Sequence, residues 1–334
     1  MNQLIGSNSK MREITYAQAI NEALNEEMNK DKNVIVMGED VALFGGIFKV
    51  TKGLLKNFGP ERVRDTPISE NSIIGAALGA SLLGLRPVVE IMYMDFLNEC
   101  ADQLINHLPK MRFMSGGKLK TPVTIRTQYS LGRNTGAQHS QFFPAFFMNT
   151  PGLFISLPSS AYDAKGLLKT AIRGNNPTLF IECPLFYRKK EQVPTEEYVI
   201  PVGKAAVKKE GEDVTIFALG SMVPRALSAA EKLEKNQVSV RVIDPRTLNP
   251  LDEDCLIESV KKTGRLVIAE PDCKTAGVGA EIAAIVAEKA LDYLDAPIIR
   301  VAAPDLPSPF TPALLDKFVP SDIDIVNAVK KILS

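Results

Sequence analysis

The sequence predicts an α/β protein with two doubly wound domains whose sheets are largely parallel. Short apolar runs typical of buried strands alternate along the chain with segments whose apolar residues recur at helical spacing. Between residues 191 and 204 this alternation stops, and prolines and charged residues replace it. A chain of 334 residues is long enough for two hydrophobic cores. We therefore predict a first domain over residues 1–190, a linker over 191–204 and a second domain over 205–334.

The predicted first domain begins with a helix and continues with alternating strands and helices. Thr15-Tyr16-Ala17-Gln18 has the pattern of a capping box, and apolar residues follow it at helical spacing. Another helix is expected to begin near Ser160 and to end at Gly174, a residue type common at helix ends. Buried strands are predicted at residues 34–37, 88–92, 122–126, 153–157 and 178–182.

The predicted second domain repeats the same alternation. Its strands are expected at residues 214–219, 238–243, 265–270 and 298–301, with helices between them. Gly277-Val278-Gly279 is similar to a dinucleotide-binding loop. Six residues separate it from the preceding strand, however, which is too many for a tight phosphate-binding turn. We interpret it as the start of a helix.

Composition narrows the classes of function. Lys and Arg together number 39, as do Asp and Glu, so bulk charge does not attract this chain to nucleic acid or to an acidic membrane. No apolar run approaches the roughly 18 residues of a membrane span. The four cysteines are far apart and form no Cys-x-x-Cys pair, which disfavours a disulfide framework or a zinc site. Because residues 1–11 also lack a targeting pattern, we expect a cytoplasmic protein.

One carboxylate stands where a helix is predicted to begin. Arg64-Asp65-Thr66-Pro67-Ile68-Ser69-Glu70 contains residues that break regular structure, and apolar residues with helical spacing follow it. At such a position the helix dipole lowers the pKa of a carboxyl group, whereas burial raises it. Taken alone, Glu70 is most simply a favourable first-turn charge.

A second polar cluster is Gln138-His139-Ser140-Gln141, which follows a loop rich in Gly, Asn and Thr. Imidazole titrates near neutrality and therefore suits proton delivery. Ser140 invites a comparison with hydrolases, but the chain has no Gly-x-Ser-x-Gly elbow, and we reject that interpretation. The other histidine, His107, is interpreted as structural. Met92 and Phe96 are by themselves more typical of a core than of a cofactor surface.

Together, the Glu70 and His139 motifs resemble those of the beta subunits of thiamine-diphosphate-dependent 2-oxoacid dehydrogenases, in the transketolase superfamily. The resemblance extends from about Arg12 to the C-terminus and includes residues 162–168 and 243–248. It implies a pyrimidine-binding domain followed by a transketolase-like C-terminal domain. It also implies that Glu70 hydrogen-bonds N1′ of the cofactor's aminopyrimidine and activates the cofactor, with Met92 and Phe96 as a wall around that ring. His139 is then expected at the mouth of the active site, where it assists acyl transfer to lipoamide.

The resemblance further implies a potassium site built from backbone carbonyls and small side chains. This sequence departs from many relatives at Gly174, where an Asp is common, so the site lacks a formal negative charge. The matching positions are Val123, Ala171, Ile172, Gly174 and Asn176.

Only half of a thiamine diphosphate site is expected in this chain. The Gly-Asp-Gly motif with which thiamine enzymes anchor magnesium and diphosphate is absent. The resemblance therefore implies an alpha subunit that supplies the magnesium site, a heterotetramer of two alpha and two beta subunits, and a lipoyl-bearing acyltransferase as partner. Pyruvate is the first expectation for substrate, with a branched-chain 2-oxoacid or acetoin left open. A non-catalytic assembly protein of the same fold is the alternative from another class. A self-sufficient transketolase-like enzyme would need a diphosphate domain that this chain lacks.

Overall fold

The computed structural model describes residues 10–334, which form two compact units. We call residues 10–129 and 147–202 the N-terminal unit, and residues 130–146 and 203–334 the C-terminal unit. The segment predicted to lack a targeting signal lies mostly outside the described residues, since residues 1–9 are not among them.

The N-terminal unit is built on parallel strands in the order β6-β7-β5-β4-β2-β3. A separate antiparallel pair joins β1 to β8. The strands of this unit are β1 (Met11–Thr15), β2 (Val34–Gly38), β3 (Val63–Asp65), β4 (Arg86–Ile91), β5 (Thr124–Gln128), β6 (Phe154–Ser156), β7 (Thr178–Glu182) and β8 (Lys190–Pro194).

Helices cover the sheet of the N-terminal unit. Helix α1 packs against α6, and α3 packs against β4 and the 3₁₀ segment Met94–Cys100. The helices are α1 (Tyr16–Lys30), α2 (Leu54–Phe58), α3 (Glu70–Leu82), α4 (Met111–Met114), α5 (Pro144–Met148), which crosses the boundary between the units, and α6 (Ala161–Arg173).

The C-terminal unit contains a five-stranded sheet in the order β14-β13-β10-β11-β9, in which only β9 is antiparallel to its neighbour. Its strands are β9 (Ala206–Lys209), β10 (Val214–Ala218), β11 (Val240–Asp244), β12 (Thr247–Asn249), β13 (Leu266–Cys273) and β14 (Ile299–Ala303). Its helices are α7 (Met222–Glu234), α8 (Glu253–Thr263), α9 (Val278–Ala290), α10 (Pro312–Phe318) and α11 (Asp322–Leu333).

Both faces of the C-terminal sheet are covered, as a doubly wound fold requires. Val214 and Ile216 of β10 face the core formed with α7 and α11. Thr215, between them, bonds the Ser259 carbonyl of α8 at 3.1 Å on the opposite face. Alternate residues of one strand therefore enter different helix layers.

Local sequence signals set several boundaries as predicted. Thr15 Oγ1 accepts a hydrogen bond from the Gln18 amide at 3.1 Å, and Gln18 Oε1 accepts one from the Thr15 amide at 2.8 Å, so the capping box is present. Ser160 caps α6 by accepting from the Asp163 amide at 3.0 Å, and Gly174 is its C-cap residue. The two-domain α/β fold is confirmed, and its predicted long strands all form within a few residues of their predicted limits.

The sequence analysis did not predict five short strands. Strands β1, β3, β8, β9 and β12 have three to five residues each, too few to show periodicity. Strand β8 lies at the start of the segment predicted as a linker, where it pairs with β1 in a register that joins Thr15 to Lys190. None of the helices within residues 10–334 combines the length and apolar character that a membrane crossing requires.

Candidate active site

The carboxyl ends of β2 and β4 mark the point where the strand order of the N-terminal sheet reverses. From β2 the chain continues to β3 on one side, whereas β4 and β5 follow on the other side. In open α/β sheets, ligands bind outside the strand ends at such a switch point. The residues predicted to bind the pyrimidine ring, Glu70, Met92 and Phe96, all follow strands at this edge.

Glu70 is the first residue of α3 and is partly exposed. The preceding residues are fixed to the end of β2: the Asp65 carboxylate accepts hydrogen bonds from the Ala42 amide at 2.6 Å and the Leu43 amide at 3.2 Å. The Thr66 amide also donates to the Gly38 carbonyl at 3.0 Å. The motif therefore works as a rigid turn that delivers the carboxylate at the helix start, where the dipole favours an anion.

Glu70 shares the edge with other carboxylates that the sequence did not single out. Burial raises the pKa of Glu39, and Glu70, Asp40 and Glu90 raise it further by charge repulsion. Gly38 lets the backbone of Glu90 lie close to the end of β2, because a Cβ at position 38 would lie 2.9 Å from the Glu90 carbonyl oxygen. A carboxyl group whose pKa is raised by burial and by nearby carboxylates is a feature common in functional sites.

A fully buried ion-pair network lies beneath this edge. The Arg126 Nη1 donates to Glu90 Oε2 at 2.6 Å, and its Nε donates to Glu182 Oε1 at 2.7 Å. Strand register explains the contacts, since Arg126 lies beside Glu90 on β4, and β7 carries Glu182 two residues beyond its neighbour. The Tyr187 hydroxyl donates to Glu182 Oε2 at 2.7 Å. Burial would lower the pKa of Arg126, but the two carboxylates outweigh it and hold the guanidinium charged.

Met92 and Phe96 follow β4, and both are partly exposed. The Phe96 ring packs edge-on against Tyr93, with ring centres 6.0 Å apart, and Tyr93 packs edge-on against Phe48 at 6.3 Å. Phe48 also contacts Tyr187 at 5.2 Å. Phe96 thus belongs to an aromatic cluster that the sequence did not single out, because Phe48 comes from a loop more than 40 residues earlier.

His139 lies in the C-terminal unit, whereas Glu70 lies in the N-terminal unit. It ends the short 3₁₀ turn Ala137–His139 after Gly136, whose φ of 79° suits glycine. The Thr135 hydroxyl donates to the His139 carbonyl at 3.1 Å. The C-terminal unit contains a mainly apolar cavity of about 580 Å³, which is lined in part by three residues close to His139: Gln138, Ser140 and Gln141. His107, by contrast, pairs with Asp102 at 3.2 Å.

The Gly277-Val278-Gly279 segment is confirmed as a helix start. The Gly279 amide at the N-terminus of α9 donates to the buried Glu270 Oε2 at 2.8 Å. A Cβ at position 279 would lie 2.4 Å from Glu270 Oε1, so the glycine leaves space for this carboxylate. The N-terminus of α9, the end of a helix that can bind a phosphate, is therefore occupied by the side chain of Glu270.

Comparisons with known proteins agree with this architecture. Residues 12–189 match the family model "Transketolase, pyrimidine binding domain", and residues 203–325 match "Transketolase, C-terminal domain". A solved structure, "Split gene transketolase, inactive beta4 tetramer", superposes with a TM-score of 0.79 at 27% identity, covering 96% of this chain and 98% of that chain. These matches define a two-domain protein of the transketolase type.

Curated relatives narrow the class. The chain is 47% identical to the pyruvate dehydrogenase E1 component subunit beta of Staphylococcus epidermidis, covering 97% of this chain and 99% of the relative. It is 46% identical to the acetoin:2,6-dichlorophenolindophenol oxidoreductase subunit beta of Bacillus subtilis, with coverages of 96% and 98%. The 2-oxoisovalerate dehydrogenase subunit beta of Bacillus subtilis is 44% identical, with coverages of 97% and 99%. The chain belongs to the family of 2-oxoacid dehydrogenase beta subunits with transketolase-type domains.

Proposed function

We propose that this chain is the beta subunit of a thiamine-diphosphate-dependent pyruvate dehydrogenase, which decarboxylates a 2-oxoacid and transfers the acyl group to lipoamide on an acyltransferase component. The observation that carries the proposal is the placement of Glu70 at the start of α3, on the same sheet edge as Met92 and Phe96. A carboxyl group beside an apolar and aromatic wall fits the pyrimidine end of the cofactor, which offers a ring nitrogen and a flat face.

When bound, thiamine diphosphate supplies the carbon nucleophile and the electron sink that decarboxylation of a 2-oxoacid requires. The contribution of this chain is to bind and orient. Glu70 would hold a proton at the pyrimidine N1′. Met92 and Phe96 would exclude water from the ring.

The partner-dependent part of the proposal concerns the diphosphate. The chain lacks the Gly-Asp-Gly motif, so an alpha subunit would supply the magnesium ligands in a heterotetramer of two alpha and two beta subunits. The solved relative described as an inactive beta4 tetramer supports the inactivity of an isolated chain. The four free cysteines support a reducing, cytoplasmic location.

Calorimetry on the full chain, with and without its alpha subunit, tests this division of the site. We expect weak thiamine diphosphate binding by the chain alone, and tight magnesium-dependent binding at a fixed stoichiometry once the alpha subunit is added. Tight magnesium-dependent binding without a partner would contradict the half-site. A complex that binds the cofactor but turns over neither a 2-oxoacid nor acetoin would instead favour a non-catalytic assembly protein.

Substrate identity is tested by assaying pyruvate, branched-chain 2-oxoacids and acetoin side by side with the complex. Pyruvate is expected to give the highest kcat/KM. Acetoin is the second candidate, because the identity to the acetoin enzyme's beta subunit, 46%, is almost equal to the identity to the pyruvate enzyme's, 47%.

The His139 role is tested with His139→Ala. We expect a larger loss in the lipoamide-dependent reaction than in decarboxylation measured with an artificial electron acceptor, because His139 is proposed to act in acyl transfer. Gln138→Ala, which changes the neighbouring residue on the same turn, is the control. Equal losses in both assays for His139→Ala would remove the acyl-transfer role.

A further inference from the structure

The C-terminal end of α6 is held by the side chain of Arg86, the first residue of β4. Its Nε donates to the Ile172 carbonyl at 2.8 Å, and its Nη2 donates to the Gly174 carbonyl. Its Nη1 also reaches Asn175 Oδ1 at 3.4 Å. Ile172 and Gly174 are two of the five positions expected to bind potassium. We propose that the Arg86 guanidinium is the built-in cation of this corner, and that the chain needs no potassium ion there.

At each of the three other positions expected to bind potassium, one oxygen already accepts a hydrogen bond. The Val123 carbonyl accepts from the Thr178 amide at 2.9 Å, and the Ala171 carbonyl accepts from the Gly174 amide at 3.2 Å. The Asn176 side-chain oxygen accepts from Arg112 Nη1 at 2.8 Å. A carbonyl oxygen can accept twice, so engagement alone does not exclude an ion. These hydrogen bonds do mean that the five positions do not offer a set of free oxygens as ligands for an ion.

Charge supplies the decisive argument. The carbonyls at the end of α6 carry the negative end of the helix dipole, which attracts one cation. Arg86 provides that cation, and Gly174 provides no carboxylate to attract a second one. Potassium at the same carbonyls would lie within a few ångströms of a guanidinium and would be repelled by it.

The arginine stays charged although it is partly buried. Burial lowers the pKa of Arg86, and Asp31 and Glu27 offset only part of that effect. Arginine titrates so far above neutrality that the group stays protonated at physiological pH. The planar guanidinium donates to two carbonyl oxygens at once in a fixed geometry, whereas a spherical ion imposes no direction on its ligands. The proposal concerns stability and is independent of the thiamine chemistry.

Thermal unfolding of the full chain at equal concentrations of potassium, sodium and choline chloride tests the proposal. The wild type should show the same Tm in all three salts. Arg86→Met should lower Tm by roughly 5 °C, because it removes charged hydrogen bonds to half-buried carbonyls. It should also regain part of that loss in potassium but not in choline chloride, since the carbonyls are then free for an ion.

Arg112→Met is the matched control, because it removes an arginine from the same corner without freeing the Ile172 and Gly174 carbonyls. It should show no potassium response. A saturable, potassium-specific rise in the wild-type Tm would overturn the proposal. So would a thallium(I) peak at these carbonyls in crystals of the wild type soaked with that potassium mimic, a measurement that does not depend on any variant folding.

Discussion

The two units have similar doubly wound sheets, yet Glu182 of one unit and Glu270 of the other have different surroundings although both are fully buried. In the N-terminal unit, Glu90 and Glu182 share the buried Arg126. In the C-terminal unit, Glu270 of β13 is equally buried, but it accepts only the Gly279 amide, and within residues 10–334 its Oε1 has no hydrogen-bond partner. Burial raises the pKa of Glu270 to about 7, and Gly279 only partly offsets the effect.

The difference concerns these glutamates and not all buried carboxylates, since the buried Asp244 of the C-terminal unit pairs with Lys208 at 3.4 Å. Burial raises the pKa of both Glu182 and Glu270, but only Glu182 has a guanidinium within hydrogen-bond distance. The Arg126 ion pairs lie beneath the sheet edge that carries Glu70, and Glu270 lies at the start of α9. Similar strands of one fold type can therefore hold a glutamate in an ion pair or against a helix N-terminus.

The largest expected effect is catalytic and confined to the N-terminal unit. Glu70→Gln should leave folding intact but reduce deuterium exchange at thiazolium C2 in the reconstituted enzyme by about 10²–10⁴-fold, because an amide cannot supply the carboxyl proton. Glu281→Gln is the matched control: Glu281 is also a first-turn glutamate, in α9 of the C-terminal unit. Near-normal exchange in Glu70→Gln would remove Glu70 from its proposed role.

Removing the shared cation should produce the largest loss of stability. Arg126→Met leaves two carboxylates buried without their partner and should lower the free energy of unfolding by about 3–5 kcal/mol. Urea denaturation measures the change. Arg64→Met in β3 is the control, because both Arg64 and its partner Glu61 are exposed, and its loss should amount to about 1 kcal/mol or less. Similar losses for both variants would show that the buried ion pairs of Arg126 contribute no more to the free energy of unfolding than an exposed ion pair.

The opposite behaviour is expected from Glu270. Because burial raises the pKa of its carboxyl to about 7 in the folded chain from an ordinary value of 4.5, ionisation is unfavourable in the folded state. This destabilisation develops as the pH rises from about 4.5 to about 7 and is complete above that range. Glu270→Gln removes it, so the variant should gain roughly 2–3 kcal/mol over the wild type between pH 5 and pH 8.

Paired urea titrations at the two pH values measure this gain. Burial also raises the pKa of Asp272 to about 7, and the charge of Glu270 raises it further, so the same pair of titrations is repeated on an Asp272→Asn background. A stability difference that does not change with pH would mean that Glu270 does not titrate in this window.

The smallest expected effect comes from the hydroxyl that completes the Arg126 network. Tyr187→Phe removes the hydrogen bond to Glu182 and should lower the free energy of unfolding by about 1.5–2 kcal/mol, as expected for a bond to a charged group. Tyr198→Phe removes a bond from a tyrosine hydroxyl to the neutral Tyr162 carbonyl and should lose about 1 kcal/mol. Equal losses would indicate that the charge of Glu182 adds nothing.

Local signals made several helix boundaries predictable, including the position of Glu70 at the start of α3. A capping box, a serine cap and a glycine are adjacent to the helices they delimit, so the sequence contains the whole signal. The Arg126 network and the Arg86 contacts could not be predicted in this way. Arg126 meets Glu182 across 56 positions, and Arg86 meets Ile172 across 86, so their pairing depends on the order of strands in the sheet.

Strand β5 was predicted as a buried strand, and all five of its residues, Thr124–Gln128, are buried. Most of them are polar, so they need hydrogen-bond or ion-pair partners in the interior. The sequence did not identify those partners, because they lie on neighbouring strands.

The assignment of Ser130–Phe146 to the C-terminal unit has a consequence for protein dissection. Asn134 Nδ2 donates to the Phe310 carbonyl at 3.0 Å, so this segment packs against residues encoded far downstream. A gene fragment that stops at residue 202 would include the segment without its support, and a fragment that starts at residue 203 would lack it. Neither half can be excised by a single cut, and the histidine-bearing turn requires the intact polypeptide.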